Sequence, residues 1–509
     1  MNFESNIKSL SFCETVFESA TEHTVECEFN LPDYCPEIKR IIKCCLTANL
    51  TGVQRSEGKV NAQVNACIRV IYIGENNKVS AYEQTQTVQK TFESAKIRSE
   101  SVINVRVNTD YVNCRATSPR RVDIKAMLTF VFKMICKGSD RILTSASECG
   151  IQTLEKDFSY CDLKAIAEKS FNLTEVAEIA SDKPSIGRIL DSSAYISVTD
   201  KKIINNKMLL KGDCFIRICY LSDGEFSVEL AEHSIPVSQI IEIDGITDNC
   251  DINLDVGVTA CEVLTKIDSS GESRLFDLNI RASATVTAFE NSEITLISDL
   301  YSTRYRADNS VKYINIMSNN TDFSNTFTNK VTLESIGVSV DKVCAAWCEG
   351  LKYSSTFKNG KCVIQGNYQA NVMYSDSEKQ IGIIQKTVEF EYPVDLKEAA
   401  ESIVCYPSLQ IGACTCSTSG ESRLELRTEI FISGKIMTSK NVKCIESSQL
   451  YDNVEKADNS ALTIYFSDSN ERIWDIAKKY NTSVQAVMEE NDIDTETVED
   501  KRILLIPSV

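Results

Sequence analysis

The sequence predicts a mainly β protein: three tandem antiparallel repeats, each sandwich-like or barrel-like, followed by a small β-α-α-β unit. Two observations predict the repeats. One turn-and-strand pattern occurs three times at nearly constant spacing, and its strands alternate apolar and polar side chains, as half-buried strands do. A third observation sets the end of the chain apart, because apolar residues there follow the i, i+3, i+4, i+7 spacing of a helix.

The repeat is defined by a short turn that precedes a strand. The turns are Gly58-Lys59-Val60, Asn206-Lys207-Met208 and Gly360-Lys361-Cys362, and a tyrosine follows fourteen residues after the first position of each. The offsets are 148 residues (58 to 206) and 154 residues (206 to 360). We therefore predict three copies of one domain and a separate C-terminal unit, here called the tail. The predicted boundaries are 1–175, 176–322, 323–455 and, for the tail, 460–509.

Each copy is predicted to be rich in strands. Val60 to Ile73 and Leu209 to Leu221 alternate apolar and polar residues, and turns that bear Gly, Asn or Asp follow them. Helical periodicity is scarce before the tail. Asp162 to Ser170 and Asp395 to Glu401 are short helix candidates.

A second motif, Pro-x-Ile-x-Arg, occurs in the first two copies, at Pro36 to Ile42 and at Pro184 to Leu190. It contains Arg40 and Arg188. One interpretation is that each arginine holds a strand end through backbone carbonyls or a carboxylate, since guanidinium offers five N–H donors. The alternative is that both lie on a surface that contacts a partner.

The tail is predicted to run strand, helix, helix, strand. Thr463 to Phe466 is β-branched and aromatic, and Pro507 closes a final apolar segment that begins at Ile503. Thr482 and Gln485 have the spacing of a capping box. One face of the first helix is apolar, with Ile473, Ile476, Ala477 and Tyr480.

Composition restricts the partners. A net charge of −18 and a pI near 4.8 argue against nucleic acid and anionic membrane surfaces, which need Lys/Arg patches. No apolar run approaches the roughly 18 residues that span a bilayer. No basic segment followed by an apolar one begins the chain, so we expect a soluble protein that is not exported by the usual route.

Catalytic and metal-binding signals are weak. The chain has 21 cysteines but no Cys-x-x-Cys pair, and only His23 and His233 could complete a zinc site. Small buried thiols are one interpretation of the cysteines, and later oxidative cross-linking is the other. Neither a nucleophile elbow nor a Gly-rich phosphate loop occurs. We predict no enzymatic activity, no cofactor and no metal.

The tail resembles the LysM family. The resemblance rests on Trp474 to Tyr480, Asn491 and Leu505 to Pro507. It implies a non-catalytic module that binds N-acetylglucosamine polymers in a shallow groove. Where typical members carry Gly-Asp-Thr, this chain has Asn470, Glu471 and Arg472, and the replacement favours a protein partner. The candidate contact residues are Asn470, Glu471, Arg472, Trp474 and Asn491.

The second copy resembles the SPOCS (DUF3794) domain of endospore-forming Firmicutes, through the Pro-x-Ile-x-Arg188 motif, Tyr220 and Ile235-Pro236-Val237. SPOCS-type repeats followed by one LysM unit are similar to clostridial spore coat morphogenesis proteins. The resemblance implies a structural adaptor in the mother-cell cytoplasm, at the forespore surface. Its implied partners are the coat-assembling ATPase or other coat proteins, and peptidoglycan is the alternative ligand.

Overall fold

A computed structural model describes residues 4–97, 101–147, 150–224, 227–334, 340–396, 401–418, 423–453 and 461–508. Within these ranges the chain forms twenty strands and two helices. All strand pairs are antiparallel, and each of the seven sheets is open, with two edge strands. The mainly β prediction is confirmed.

The strands before the tail repeat one arrangement three times. In each set of six, the second, third and fourth strands form a meander, and the first, sixth and fifth strands form a second sheet. We call the two sheets of one set a sheet pair. The first pair contains β1 (Glu4–Asn30), β2 (Ile38–Ser56), β3 (Lys59–Gly74), β4 (Val79–Glu93), β5 (Val102–Ala116) and β6 (Arg121–Ser147). The second contains β7 (Ile151–Glu178), β8 (Ile186–Ile203), β9 (Lys207–Ser222), β10 (Val228–Glu242), β11 (Asp251–Ile267) and β12 (Ser273–Ser302). The third contains β13 (Tyr305–Glu334), β14 (Val340–Lys358), β15 (Lys361–Asp376), β16 (Ile381–Val394), β17 (Ser402–Thr418) and β18 (Arg423–Asn453).

The repeated turn has a conformational cause. Gly58, Asn206 and Gly360 have φ angles of 76°, 61° and 74°. Glycine adopts this left-handed region freely, and asparagine tolerates it better than most residues. The turn therefore selects Gly or Asn at this position, and that selection produces the motif seen in the sequence.

The recurring tyrosine and proline belong to one contact in the first two sheet pairs. The Tyr72 hydroxyl donates a hydrogen bond to the Pro36 carbonyl at 3.1 Å, and Tyr220 does the same to Pro184 at 3.1 Å. Both tyrosines are fully buried. Each hydrogen bond ties the end of a central meander strand to the loop before the meander, so proline motif and tyrosine recur together.

Apolar residues pack between the two sheets of each pair and also between the pairs. A shared cluster lies where the three meanders meet and includes Ile71, Cys219 and Met373, one from each central strand. These three residues are themselves 148 and 154 residues apart (71 to 219 to 373), the offsets of the sequence repeat. The three meanders therefore surround a common centre through corresponding positions.

The tail follows as β19 (Leu462–Phe466), α1 (Ile473–Lys479), α2 (Val484–Glu490) and β20 (Ile503–Pro507). The two strands pair antiparallel. Both helices cover one face of that small sheet, where Ile476 of α1 and Val487 of α2 pack with Leu504 and Ile506 of β20. No helix among the described residues is long and apolar enough to cross a membrane.

The structure contradicts one of the two helix predictions made before the tail. Asp162 to Ser170 is not helical but lies in β7, which pairs along its length with β12. Residues 395–401, the other helix candidate, lie mostly outside the described residues. The predicted divisions at 175/176 and 322/323 fall inside β7 and β13. The proline motif marks the start of the first two meanders, whereas a long strand of the other sheet already precedes each of them.

Candidate functional site

Trp474 fastens the tail to the second sheet pair. Its side chain is only 7% exposed, and its indole Nε1 donates a 2.9 Å hydrogen bond to Oδ2 of Asp299 in β12. The Tyr301 ring packs edge-on against the indole, with centroids 5.0 Å apart. The Tyr301 hydroxyl also donates to the Thr482 carbonyl at 2.8 Å. Trp474 therefore contacts this chain's own body, which we define as residues 4–453.

Lys478 completes this contact. Its ammonium lies 2.7 Å from each carboxylate oxygen of Asp299. Burial disfavours the charged carboxylate, but the hydrogen bonds from Lys478 and Trp474 outweigh it and lower the pKa of Asp299. We call Trp474, Lys478, Asp299, Tyr301 and Thr482 the docking contact.

The loop before α1 is held by its own hydrogen bonds. Asn470 has φ of 63°, and its N–H donates to the Val498 carbonyl at 2.7 Å. Glu471 accepts the Tyr465 hydroxyl at 2.7 Å and the Asp468 N–H at 3.1 Å. The bond to Glu471 raises the pKa of Tyr465 to about 12. Asn470 thus supplies the left-handed conformation of a tight turn in place of glycine, and Glu471 braces the loop.

Arg472 and Asn491, the other candidates in the tail, differ in how far their side chains are already bonded within the tail. The Arg472 guanidinium is exposed and forms a forked ion pair with Asp475 at 2.8 and 2.9 Å. Asn491 donates to the carbonyls of Val487 and Leu505 and accepts the Leu505 N–H at 2.7 Å. The Asn491 amide therefore joins the end of α2 to β20, whereas Arg472 points charge toward solvent.

The most exposed apolar surface of the tail was missed by the sequence reasoning. It is the side of the β19–β20 sheet opposite the helices, here called the free face. Its five large side chains have exposed fractions between 37% and 74%: Leu462 45%, Ile464 61%, Phe466 74%, Ile503 56% and Leu505 37%. They are neighbours across the strands, since Ile464 pairs with Leu505 and Phe466 with Ile503. A contiguous apolar patch of this kind is typical of an interaction surface.

Arg40 and Arg188 each join two sheet pairs. Arg40 Nη2 donates to the Ile381 carbonyl of the third pair at 2.9 Å. Arg188 Nη1, in the second pair, donates to the Ala81 carbonyl of the first. The structure brings neither arginine near the candidate residues of the tail.

His233, one of the two histidines considered as zinc ligands, has an acidic neighbour within the body. His233 Nε2 lies 3.1 Å from a Glu175 oxygen on the adjacent sheet. In the parts of the chain that the structure describes, no three His, Cys, Asp or Glu side chains come together as a metal site requires.

Comparison with known proteins identifies one region. A family profile described as SipL, SPOCS domain matches residues 185–265. This span contains the meander of the second sheet pair and most of β11. No curated protein and no solved structure gives a match. Residues 185–265 are therefore similar to a SPOCS domain, and this similarity associates the chain with sporulation.

Proposed function

We propose that this protein is a non-catalytic structural adaptor in endospore coat assembly. The body carries the SPOCS-like region, and the tail presents the free face to a protein partner, for which the coat-morphogenesis ATPase at the forespore surface is the candidate. The observation that carries the proposal is the exposed apolar free face on a tail whose opposite side is fixed to the body.

The free face has the composition of a protein contact. Large apolar and aromatic side chains at the centre of an interface lose water on binding and supply most of the binding free energy. Ile464 and Phe466 are mostly exposed and lie next to each other on one sheet face, so one partner surface can cover both. The mother-cell location and the ATPase as partner rest on the resemblance to SPOCS- and LysM-containing coat proteins.

Peptidoglycan is the second candidate ligand, favoured by the strand–helix–helix–strand order of the tail. The loop where LysM modules bind sugar is occupied here by its own bonds: Asn470 to Val498, and Glu471 to Tyr465 and Asp468. A glycan would have to replace these bonds. We therefore expect no binding when the full chain is titrated with N-acetylglucosamine oligomers at millimolar concentration, and saturable heat would favour the glycan.

The proposal is tested by capture of the full-length chain on the immobilised coat-morphogenesis ATPase. Ile464→Arg places a charge at the centre of the free face, and we expect at least about a 30-fold loss of affinity, the effect of removing an interface hot spot. Ile240→Arg is the matched control, because Ile240 is 53% exposed against 61% for Ile464 but lies in β10 of the body. Equal capture of both variants, or no capture of the unaltered chain, would contradict the proposal.

A further inference from the structure

Two cysteines of the third sheet pair face one another. Cys348 lies in β14 and Cys414 in β17, so they belong to the two different sheets of that pair. Their sulfurs are 3.3 Å apart, with the Cys348 thiol donating to Cys414. The Thr428 hydroxyl lies 3.5 Å from the first sulfur and 3.9 Å from the second.

Both thiols line a cavity. The meanders and the strands β5, β11 and β17 line a space of about 1240 Å³ between the three sheet pairs. Cys348, Cys414 and Arg217 are among its lining residues. A space of this volume holds many water-sized molecules, and hydrogen peroxide is of that size.

The surroundings favour a thiolate on one of the two sulfurs. The hydrogen bond from Cys348 lowers the pKa of Cys414 against the effect of burial, and the Arg217 guanidinium acts in the same direction. The pKa of Cys348 is raised, because its proton is held between the two sulfurs. Such an arrangement supplies a nucleophilic thiolate and an adjacent thiol to resolve it.

The geometry points to an oxidisable dithiol: we propose that Cys348 and Cys414 are a modification site at which a hydroperoxide forms an intramolecular disulfide. The Cys414 thiolate attacks a peroxide oxygen, the O–O bond breaks, and a sulfenic acid and hydroxide form. The Cys348 thiol then displaces the sulfenic oxygen, which leaves with the Cys348 proton as water. The hydroxide from the first step becomes a second water when it takes up the proton that Cys414 released on ionising. The two sulfurs lose two electrons and the peroxide gains them. The bond joins the two sheets of the third pair.

The second sheet pair offers an internal comparison. Cys261, in β11, also lines the cavity, but its side-chain partner is the Ser192 hydroxyl of β8. A hydroxyl cannot form a disulfide, so we expect Cys261 to stay reduced under conditions that oxidise Cys348 and Cys414.

The experiment treats the folded full-length chain with hydrogen peroxide, then alkylates the remaining thiols in denaturant and maps tryptic peptides. Cys348 lies in peptide 343–352 and Cys414 in peptide 398–423. We expect these two peptides to be joined by a disulfide, with a mass two hydrogens below the sum of the separate peptides. Most of the alkylated forms of Cys348 and Cys414 should disappear. Fragment spectra assign the sulfurs, because Cys344, Cys405 and Cys416 share these peptides.

Matched variants decide which sulfur reacts. Cys414→Ser should abolish the link, and Cys416→Ser, two residues along the same strand, should retain it. A link that persists in Cys414→Ser would overturn the proposal. So would full alkylation of both thiols in the unaltered chain, or oxidation of Cys261 to the same extent. The measurement on the unaltered chain stands even where a variant does not fold.

Discussion

The two sides of the tail have opposite relations to the rest of the protein. On the helix side, Trp474 is 7% exposed and bonded to Asp299 of the body. On the strand side, Phe466 is 74% exposed and the neighbouring Ile464 is 61% exposed. Both sides are apolar, but only one is covered.

This difference shows that an aromatic residue at a predicted binding site can contact the body of its own chain instead. A partly polar aromatic such as tryptophan suits a contact that is apolar at the ring and hydrogen-bonded at the nitrogen. The docking contact uses both properties within one chain. The free face has no such contact described with the body, so it is the side of the tail that we propose for another protein.

The largest effect we expect on this comparison comes from Trp474→Ala. Removing a buried tryptophan costs about 3 kcal/mol or more of unfolding free energy, because a cavity replaces the ring and Asp299 loses a donor. Denaturant unfolding monitored by limited proteolysis of the tail measures the loss. Phe466→Ala is the control and should change the free energy of unfolding by no more than about 0.5 kcal/mol. Equal losses in the two variants would show that the two sides do not differ as described.

Asp299→Asn sharpens the comparison at the docking contact. The amide can still accept the Trp474 N–H but no longer pairs with the Lys478 charge. Because the Lys478 side chain is 41% exposed, solvent screens the pair, and we expect a loss of about 1 kcal/mol. Asp277→Asn, on the same strand and in an ion pair with Lys266, is the control and should lose less. A larger effect at Asp277 than at Asp299 would contradict the assignment.

The docking contact should also weaken in acid. Since the pKa of folded Asp299 is below its ordinary value of 3.8, the carboxylate stabilises the folded state above that value. The stabilisation is lost as the pH falls from 3.8 through the lower folded-state pKa. The difference in unfolding free energy between the unaltered chain and Asp299→Asn should therefore shrink below about pH 4. Denaturant titrations at several pH values measure it, and a difference that stays constant in acid would refute this origin.

The smallest effect is expected for Arg472→Ala. This exposed arginine forms a salt bridge with Asp475, and exposed pairs contribute about 0.5 kcal/mol or less. Thermal unfolding should be nearly unchanged, and capture by the ATPase should persist. Loss of capture in this variant, with stability intact, would move the partner contact from the free face to the loop before α1.

Much of the fold could be predicted from the sequence because its signals are local. The alternation of apolar and polar residues in Val60 to Ile73 corresponds to β3. Gly or Asn begins each repeated turn because that position has a positive φ angle. The helix predicted at Asp162 to Ser170 was wrong, because so short a segment fits both the helical and the strand spacing of apolar residues. Its pairing with β12 makes it a strand. The division predicted at 175/176 falls inside β7, and the pairing of β7 with β12 leaves no local signal, since it joins residues about a hundred or more positions apart.

The candidate site was less predictable. Asp299 and Tyr301 lie about 175 residues before Trp474, and no local pattern links them. Arg40 and Arg188 likewise bond to carbonyls that only tertiary structure brings near. The free face did leave a signal: Ile503-Leu504-Leu505-Ile506 is apolar at every position. In a two-stranded sheet covered by helices on one side, such a run leaves every second side chain exposed.

Hydroxyl-radical footprinting of the full chain, alone and bound to the coat-morphogenesis ATPase, tests the free face most directly. Ile464 and Phe466 should react in the free chain and lose reactivity in the complex, whereas Trp474 should be protected in both states. Unchanged reactivity of Ile464 and Phe466 in the complex would contradict the account.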